Sequence, residues 1–267
     1  MKKSLLVLII IPAFISCTTN AVTGRKQLSL FPESTLQAEA ISQYQSFLST
    51  NKVVSSNTSK DAEMVKRVGG RVANAITTYY RGKGLAKQLE GYKWEFNLIN
   101  DPQVNAWCMP GGKVVIYSGL LPVTQNEAAL SVVMGHEILH AVAQHGNERM
   151  SQVAVAQGLQ VAGSFFTQNN QQANMLFNNV FAPGAQVGVL LPNSRKQEYE
   201  ADRFGLIFSA MAGYNPREAI PFWERMASAS NGNKPPEFLS SHPADNNRIA
   251  KIREYMPEAL KYYKPRK

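Results

Sequence analysis

Two cysteines, Cys17 and Cys108, are all that 267 residues contain. They cannot build a disulfide framework or a CxxC zinc site. No apolar run reaches the roughly 20 residues that span a bilayer; "LLVLIIIPAFI", near the N-terminus, has eleven. There is no internal repeat, and "RGKG" at 81–84 is too short for a phosphate loop. Acidic residues are in deficit, 19 against 28 basic, for a formal charge of +9. The basic side chains are scattered apart from a modest cluster in "KYYKPRK", and no recognised nucleic-acid motif accompanies them. Nucleic acid is therefore excluded as a partner; a solvated surface with weak attraction to anionic headgroups suits this charge. Histidine is scarce as well, with four in the chain, yet three of them stand in "VVMGHEILHAVAQHG", residues 132–146.

That concentration asks for a chemical reason. His136 and His140 are at i and i+4, so they project from one face of a helix, one turn apart. Two imidazoles held this way can share a zinc ion. Glu137 lies beside them, placed to act as general base on a water at the metal. This is the HExxH arrangement of zinc metallopeptidases. Gly135 costs the helix about 1 kcal/mol relative to Ala, a cost that makes sense if another segment approaches the backbone there. A catalytic zinc needs a third protein ligand and an open position. "SRKQEYEADRFG" offers Glu198 as that ligand. Asp202, one turn on, can accept the free ring N–H of a ligand histidine, while Ala201 and Gly205 leave this face open for close packing. His242, in "SSHPADNNR", is a candidate either to stabilise the oxyanion or to take the open zinc position at rest. Arg248 would steady that loop or the oxyanion. His145 lies off the ligand face and reads as structural; Cys108 reads as a buried small hydrophobe.

With 44% hydrophobic residues, one domain with a substantial core is expected over 32–267. Lys2 and Lys3, the apolar run and Ser16–Cys17 form a secretory signal over 1–16. "FISC" resembles a bacterial lipobox, which would leave an acylated Cys17, membrane attachment through that lipid and a polar tether over 17–31. Helices are expected from Pro32 (Leu36, Ala40, Tyr44, Phe47 inward) and from Asp61 (Val65, Val68, Val72, Ile76, Tyr79). A strand over 92–98 and a hairpin turning at Pro110–Gly112 follow. One helix is predicted from an Asn126 cap to Met150, another over 151–166, and more after Ser194, Pro216 and Pro243. Residues 167–193, rich in Gln and Asn and broken by Pro and Gly, suit a lid hinged at Gly184 and Gly188, with Met175, Leu176 and Phe177 plugging the cleft. A short helix packed on the core is the competing reading.

"VTGRKQLSL", "NAWCMPGGKVVIYSGLL", "HEILHAVAQHG", "EYEADRFG" and "SHPADNNRI" together resemble the gluzincin zinc metallopeptidases of CAAX prenyl protease and HtpX type. The likeness is to their periplasmic lipoprotein branch, exemplified by BepA and LoiP. The resemblance implies an α+β, mainly helical, zincin-like domain with a small antiparallel sheet beside the HExxH helix. It also implies one zinc per chain, with His136, His140 and Glu198 as ligands. The strand Lys113, Val114, Val115, Ile116, Tyr117 would lie above the metal and take extended substrate along its edge. By the same resemblance the protein would be an outer-membrane lipoprotein facing the periplasm. It would cleave unfolded or misassembled envelope proteins, in company with outer-membrane assembly machinery. A chaperone that binds clients without cutting them is the alternative.

Overall fold

The computed structural model describes residues 17–157, 171–181, 194–229, 236–242 and 247–265. A two-stranded antiparallel hairpin comes first, β1 (Cys17–Thr19) against β2 (Lys26–Leu28). Two helices follow, α1 (Glu33–Thr50) and α2 (Lys60–Gly82). In α2, Val65, Val68, Val72 and Ile76 are fully buried, as their spacing requires, and the Ser59 side chain caps the first turn by accepting from Ala62 N. Three strands come next, β3 (Glu95–Ile99), β4 (Ala106–Met109) and β5 (Lys113–Tyr117). After the short α3 (Leu121–Thr124), the histidine-bearing helix α4 (Glu127–Val142) opens at Asn126, whose side chain accepts from Ala129 N at 2.8 Å. Every residue of α4 from Ala129 to Val142 is buried. It is the central rod of the domain, with α2, the sheet and a later helix around it.

The remaining helices are α5 (His145–Ala156), α6 (Gln171–Phe181), α7 (Ser194–Met211), α8 (Ala219–Ala229), α9 (Glu237–Ser241) and α10 (Arg248–Leu260). The domain is mainly helical with small sheets, the expected α+β class. None of the described helices is long and apolar enough to cross a membrane. Residues 1–16, including the signal, lie outside the described residues.

Expectations are corrected in four places. The single helix over 126–150 is two: Gln144 adopts φ 56°, in the left-handed region, so α4 ends and α5 begins at His145. Nothing in a glutamine announces that turn. The separate helix over 151–166 is instead the end of α5 as far as Ala156, and residues 158–166 lie outside the described set.

The tether over 17–31 is no tether. Asn20 Nδ2 and Gln27 Nε2 donate to the carbonyl of Ala143 at 2.6 and 3.2 Å, and Asn147 Nδ2 donates to Phe31 O at 2.8 Å. A helix C-terminus leaves carbonyls without intrahelical partners, and these aperiodic polar residues serve the end of α4.

The third correction concerns the sheet. Its order is β3-β5-β4, with β4 antiparallel and β3 parallel to β5. Lys113–Tyr117 is therefore the middle strand, hydrogen-bonded on both sides, and cannot accept a substrate strand. The outer edge beside α4 belongs to β4. Tyr117 N donates to Asn105 O at 3.1 Å. By antiparallel alternation, Ala106 and Cys108 then turn their N–H and C=O groups away from β5.

Last, much of the supposed lid is core. Ala173, Leu176, Phe177 and Val180 of α6 are buried with Met150 and Ala154 of α5, and only Met175 of the three proposed plugs is exposed, at 57%. Phe181 packs so closely on Gly146 that a Cβ there would meet its ring at 2.2 Å. Gly184 and Gly188, the supposed hinges, lie outside the described residues.

Candidate metal centre

Helices α4 and α7 cross where neither has a side chain. A Cβ on Gly135 would lie 2.8 Å from Gly205 O, and one on Gly205 would lie 2.9 Å from His136 N. One helical turn further from the metal ligands, the Ser131 and Ser209 hydroxyls meet at 2.5 Å. This backbone-to-backbone approach sets Glu198, two turns before Gly205, against the histidine pair.

Four donor groups converge in the buried space so formed: His136, His140, Glu198 and His242. His136 Nε2 is 3.1 Å from His140 Nε2 and 3.1 Å from His242 Nδ1. The Glu198 carboxylate lies 3.3 Å from each of the first two nitrogens and 3.1 Å from His242 Nδ1. Four ligands at about 2.0–2.1 Å from one tetrahedral ion would be separated by roughly 3.3 Å. The other ring nitrogens fix the tautomers. His136 Nδ1 is 3.0 Å from Asp202 Oδ1, and His140 Nδ1 is 2.9 Å from His145 Nδ1. If both Nδ1 atoms carry the proton, two Nε2 lone pairs face each other at 3.1 Å, which only a cation between them makes favourable. The donor set fits zinc.

The two histidines of the motif differ in their electrostatics: burial would lower His136, but hydrogen bonds to Asp202 and Glu198 outweigh it and raise it, a pull that a cation at Nε2 would oppose. Burial pushes His140 well below the ordinary imidazole range, so it is neutral, as a ligand must be. Burial alone would raise the Glu198 carboxyl, but His242, His140 and Arg248 outweigh it and hold Glu198 well below the carboxylate range. Glu137 is different: burial, with Glu198 nearby, raises it to about 7. Its Oε1 has no hydrogen-bond partner among the described residues; His242 Nε2 is 3.2 Å away but poorly aligned.

Asp202 is held in turn by Arg248, whose Nε and Nη2 each donate at 2.8 Å. The Arg248 guanidinium lies 3.6 Å from the centroid of the Trp223 ring and also donates to His242 O at 3.3 Å. It thus steadies both Asp202 and the His242 loop. Pro243, expected to start the last helix, lies outside the described residues. Of the predicted site residues, His136, Glu137, His140, Glu198, Asp202, His242 and Arg248 meet in one cluster, while Lys113–Tyr117 sit one strand away from the accessible edge. Cys108, on β4, is half-buried and close enough to Glu137 to feel its charge. Sequence reasoning missed Arg25, Glu148 and Gln197, and it left Glu200 on an unrelated face. The only hint was a third histidine just past the motif.

The sequence profile of peptidase family M48 matches residues 59–256. The chain belongs to peptidase family M48. Its HExxH site is that of a zinc metallopeptidase. The mitochondrial metalloendopeptidase OMA1 of Schizosaccharomyces pombe is 35% identical over 206 residues, 74% of this chain and 59% of that protein. The OMA1 metalloendopeptidase of Bos taurus is 30% identical over 254 residues, 93% of this chain and 47% of that protein. The beta-barrel assembly-enhancing protease of Yersinia pestis is 33% identical over 165 residues, 60% of this chain and 34% of that protein. The chain thus spans between a third and three-fifths of these relatives' length.

These relatives do not single out the periplasmic lipoprotein branch, and they overturn one expectation. An outer-membrane lipoprotein facing the periplasm, anchored at Cys17, is not the address they indicate. Mitochondrial peptidases from two yeasts, a plant and Bos taurus match more strongly than the barrel-assembly proteases do. Addresses are read from short segments by receptors, so an apolar run before a cysteine says little about the folded M48 domain behind it.

Proposed function

We propose that this M48 protein is an endopeptidase that cleaves unfolded or misassembled protein chains, with substrate lying extended along the outer edge of β4. The observation that carries the reading is Glu137, a buried carboxyl with an unpartnered oxygen beside four zinc-suited donors. Bound there, zinc polarises the scissile carbonyl and lowers the pKa of a water. Glu137, raised to about 7 by its burial, is poised to take a proton from that water and pass it to the leaving amine. His242 Nδ1, 3.1 Å from His136 Nε2 and from Glu198, would offer a fourth donor to the ion, and its Nε2, 3.2 Å from Glu137 Oε1, is placed to donate to a developing oxyanion. Ala106 and Cys108 offer main-chain groups on the edge nearest α4, and main-chain pairing makes little demand on side-chain sequence. Such tolerance suits clients recognised by being unfolded. The relatives, a metalloendopeptidase and an assembly-enhancing protease, support proteolysis in protein quality control.

A non-cleaving chaperone would have no use for the Glu137 carboxyl. The test is cleavage of casein, which is unfolded, beside a stably folded protein of similar size. Casein should be cut at internal bonds by the zinc-loaded chain and the folded protein spared. Glu137→Gln should lower the rate at least ~100-fold while still binding casein. Binding without cleavage by the wild type would favour the chaperone instead.

A further inference from the structure

One metal ligand, His136, is oriented by an aspartate and an arginine. The other, His140, has a longer chain of partners behind it. We infer that Arg25, in the N-terminal hairpin, is a positioning residue for the metal centre, acting through Glu200 and His145 on the ring of His140.

The contacts run outward from the ligand. His140 turns Nε2 towards the donor cluster, so its Nδ1 is the atom that carries hydrogen. That atom lies 2.9 Å from His145 Nδ1, and two facing ring nitrogens need one donor and one acceptor. His145 must accept there, which leaves its own proton on Nε2. Nε2 in turn lies 3.0 Å from Glu200 Oε2, a carboxylate oxygen that can only accept. One assignment of protons satisfies every contact. The other Glu200 oxygen receives Arg25 Nε at 2.7 Å. The two remaining Arg25 nitrogens grip Glu148, Nη1 on Oε1 and Nη2 on Oε2, both at 2.6 Å. Gln197 Nε2 closes the set on Glu148 at 2.7 Å. His145 is fully buried, and the side chain of Glu148 is 2% exposed.

Hairpin docking alone would not demand this arrangement. Asn20 and Gln27 already tie the hairpin to the end of α4. Arg25 instead spends all three of its guanidinium nitrogens on two carboxylates, one from α5 and one from α7. A fork of this kind fixes direction as well as distance, and a lysine could not reproduce it. The left-handed turn at Gln144 has the same consequence, since it brings His145 back over His140. Partners of this sort behind a ligand histidine hold its tautomer and ring plane, and their loss typically costs roughly 10–100-fold in metal affinity.

The test is zinc affinity of the full chain, measured by competition with a chromophoric chelator, beside the melting temperature of the metal-free protein. Arg25→Gln and His145→Ala should each weaken zinc by about tenfold. The double variant should be no weaker than His145→Ala, because Arg25 acts through that ring. Glu200→Gln, nearly isosteric, guards against misfolding: it should weaken zinc comparably with little change in the metal-free melting temperature. Arg25→Lys should not rescue. If Arg25→Gln lowers the melting temperature but leaves zinc affinity within about twofold of wild type, Arg25 only docks the hairpin. The inference also fails if the effects of Arg25→Gln and His145→Ala multiply in the double variant, or if Glu200→Gln binds zinc as the wild type does. It rests on the zinc site: a wild-type chain that takes up no zinc would overturn that site, whereas equal binding by all variants overturns only the linkage.

Discussion

At the scale of single residues, the site is made of side chains whose ordinary behaviour burial has altered. Glu137 and Glu198 have one chemistry and opposite fates: at Glu198 the charges of its neighbours outweigh burial, while at Glu137 burial, with Glu198 beside it, outweighs His242, Arg248 and Arg149. Away from the site, Glu33 shows the same physics in a form that stability measurements can read. Burial raises its carboxyl from 4.5 to about 7, against the pull of hydrogen bonds from Gln37 and Tyr92. The folded chain therefore holds this proton more tightly than the unfolded chain. Stability from it is present below about 4.5 and is lost as pH rises through about 7. Glu33→Gln keeps the neutral form at every pH, so the fall in melting temperature between pH 5 and pH 8 should be smaller by a few degrees than in the wild type. Equal falls in the two proteins would show that Glu33 titrates normally.

At the scale of elements, the α4–α7 crossing decides whether there is a site at all. Glycine at 135 and 205 weakens both helices intrinsically and permits a contact that any side chain would prevent. Gly205→Ala should force the backbones apart, cost about 1–3 kcal/mol as overpacking, and withdraw Glu198 from His136 and His140. The expected result is a folded protein with a lowered melting temperature and at least ~10-fold weaker zinc binding. A variant that loses stability but binds zinc normally would show that the crossing serves packing alone. Much of this level was legible in the sequence. Helical periodicity placed α2 and α7, Asn126 marked the start of α4, and the small residues at 135, 201 and 205 signalled a close approach. What stayed hidden was non-local. No local pattern reveals that Gln144 turns left-handed, that β3 pairs parallel to β5 and so moves the open edge to β4, or that aperiodic polar residues 20–31 cap a helix more than a hundred residues on. The segment around α6 misled because its Gln and Asn outnumber the four apolar side chains that bury it.

At the scale of the molecule, ligands come from three stretches far apart in the chain, on α4, on α7 and just after α9. Arg248 pairs with both Glu198 and Asp202 there, at 3.2 and 2.8 Å, so the acidic side chains of the cluster are held in place. Family membership and the donor geometry agree on zinc; substrate and cellular address are matters the fold does not encode. The most direct test of the account is a titration of zinc into metal-free protein, followed by hydrolysis of an internally quenched peptide. Activity should rise from none and level off at one zinc per chain. Glu137→Gln should take up the same single equivalent and remain inactive. Activity in the metal-free protein, or recovery of hydrolysis by Glu137→Gln on adding zinc, would contradict it.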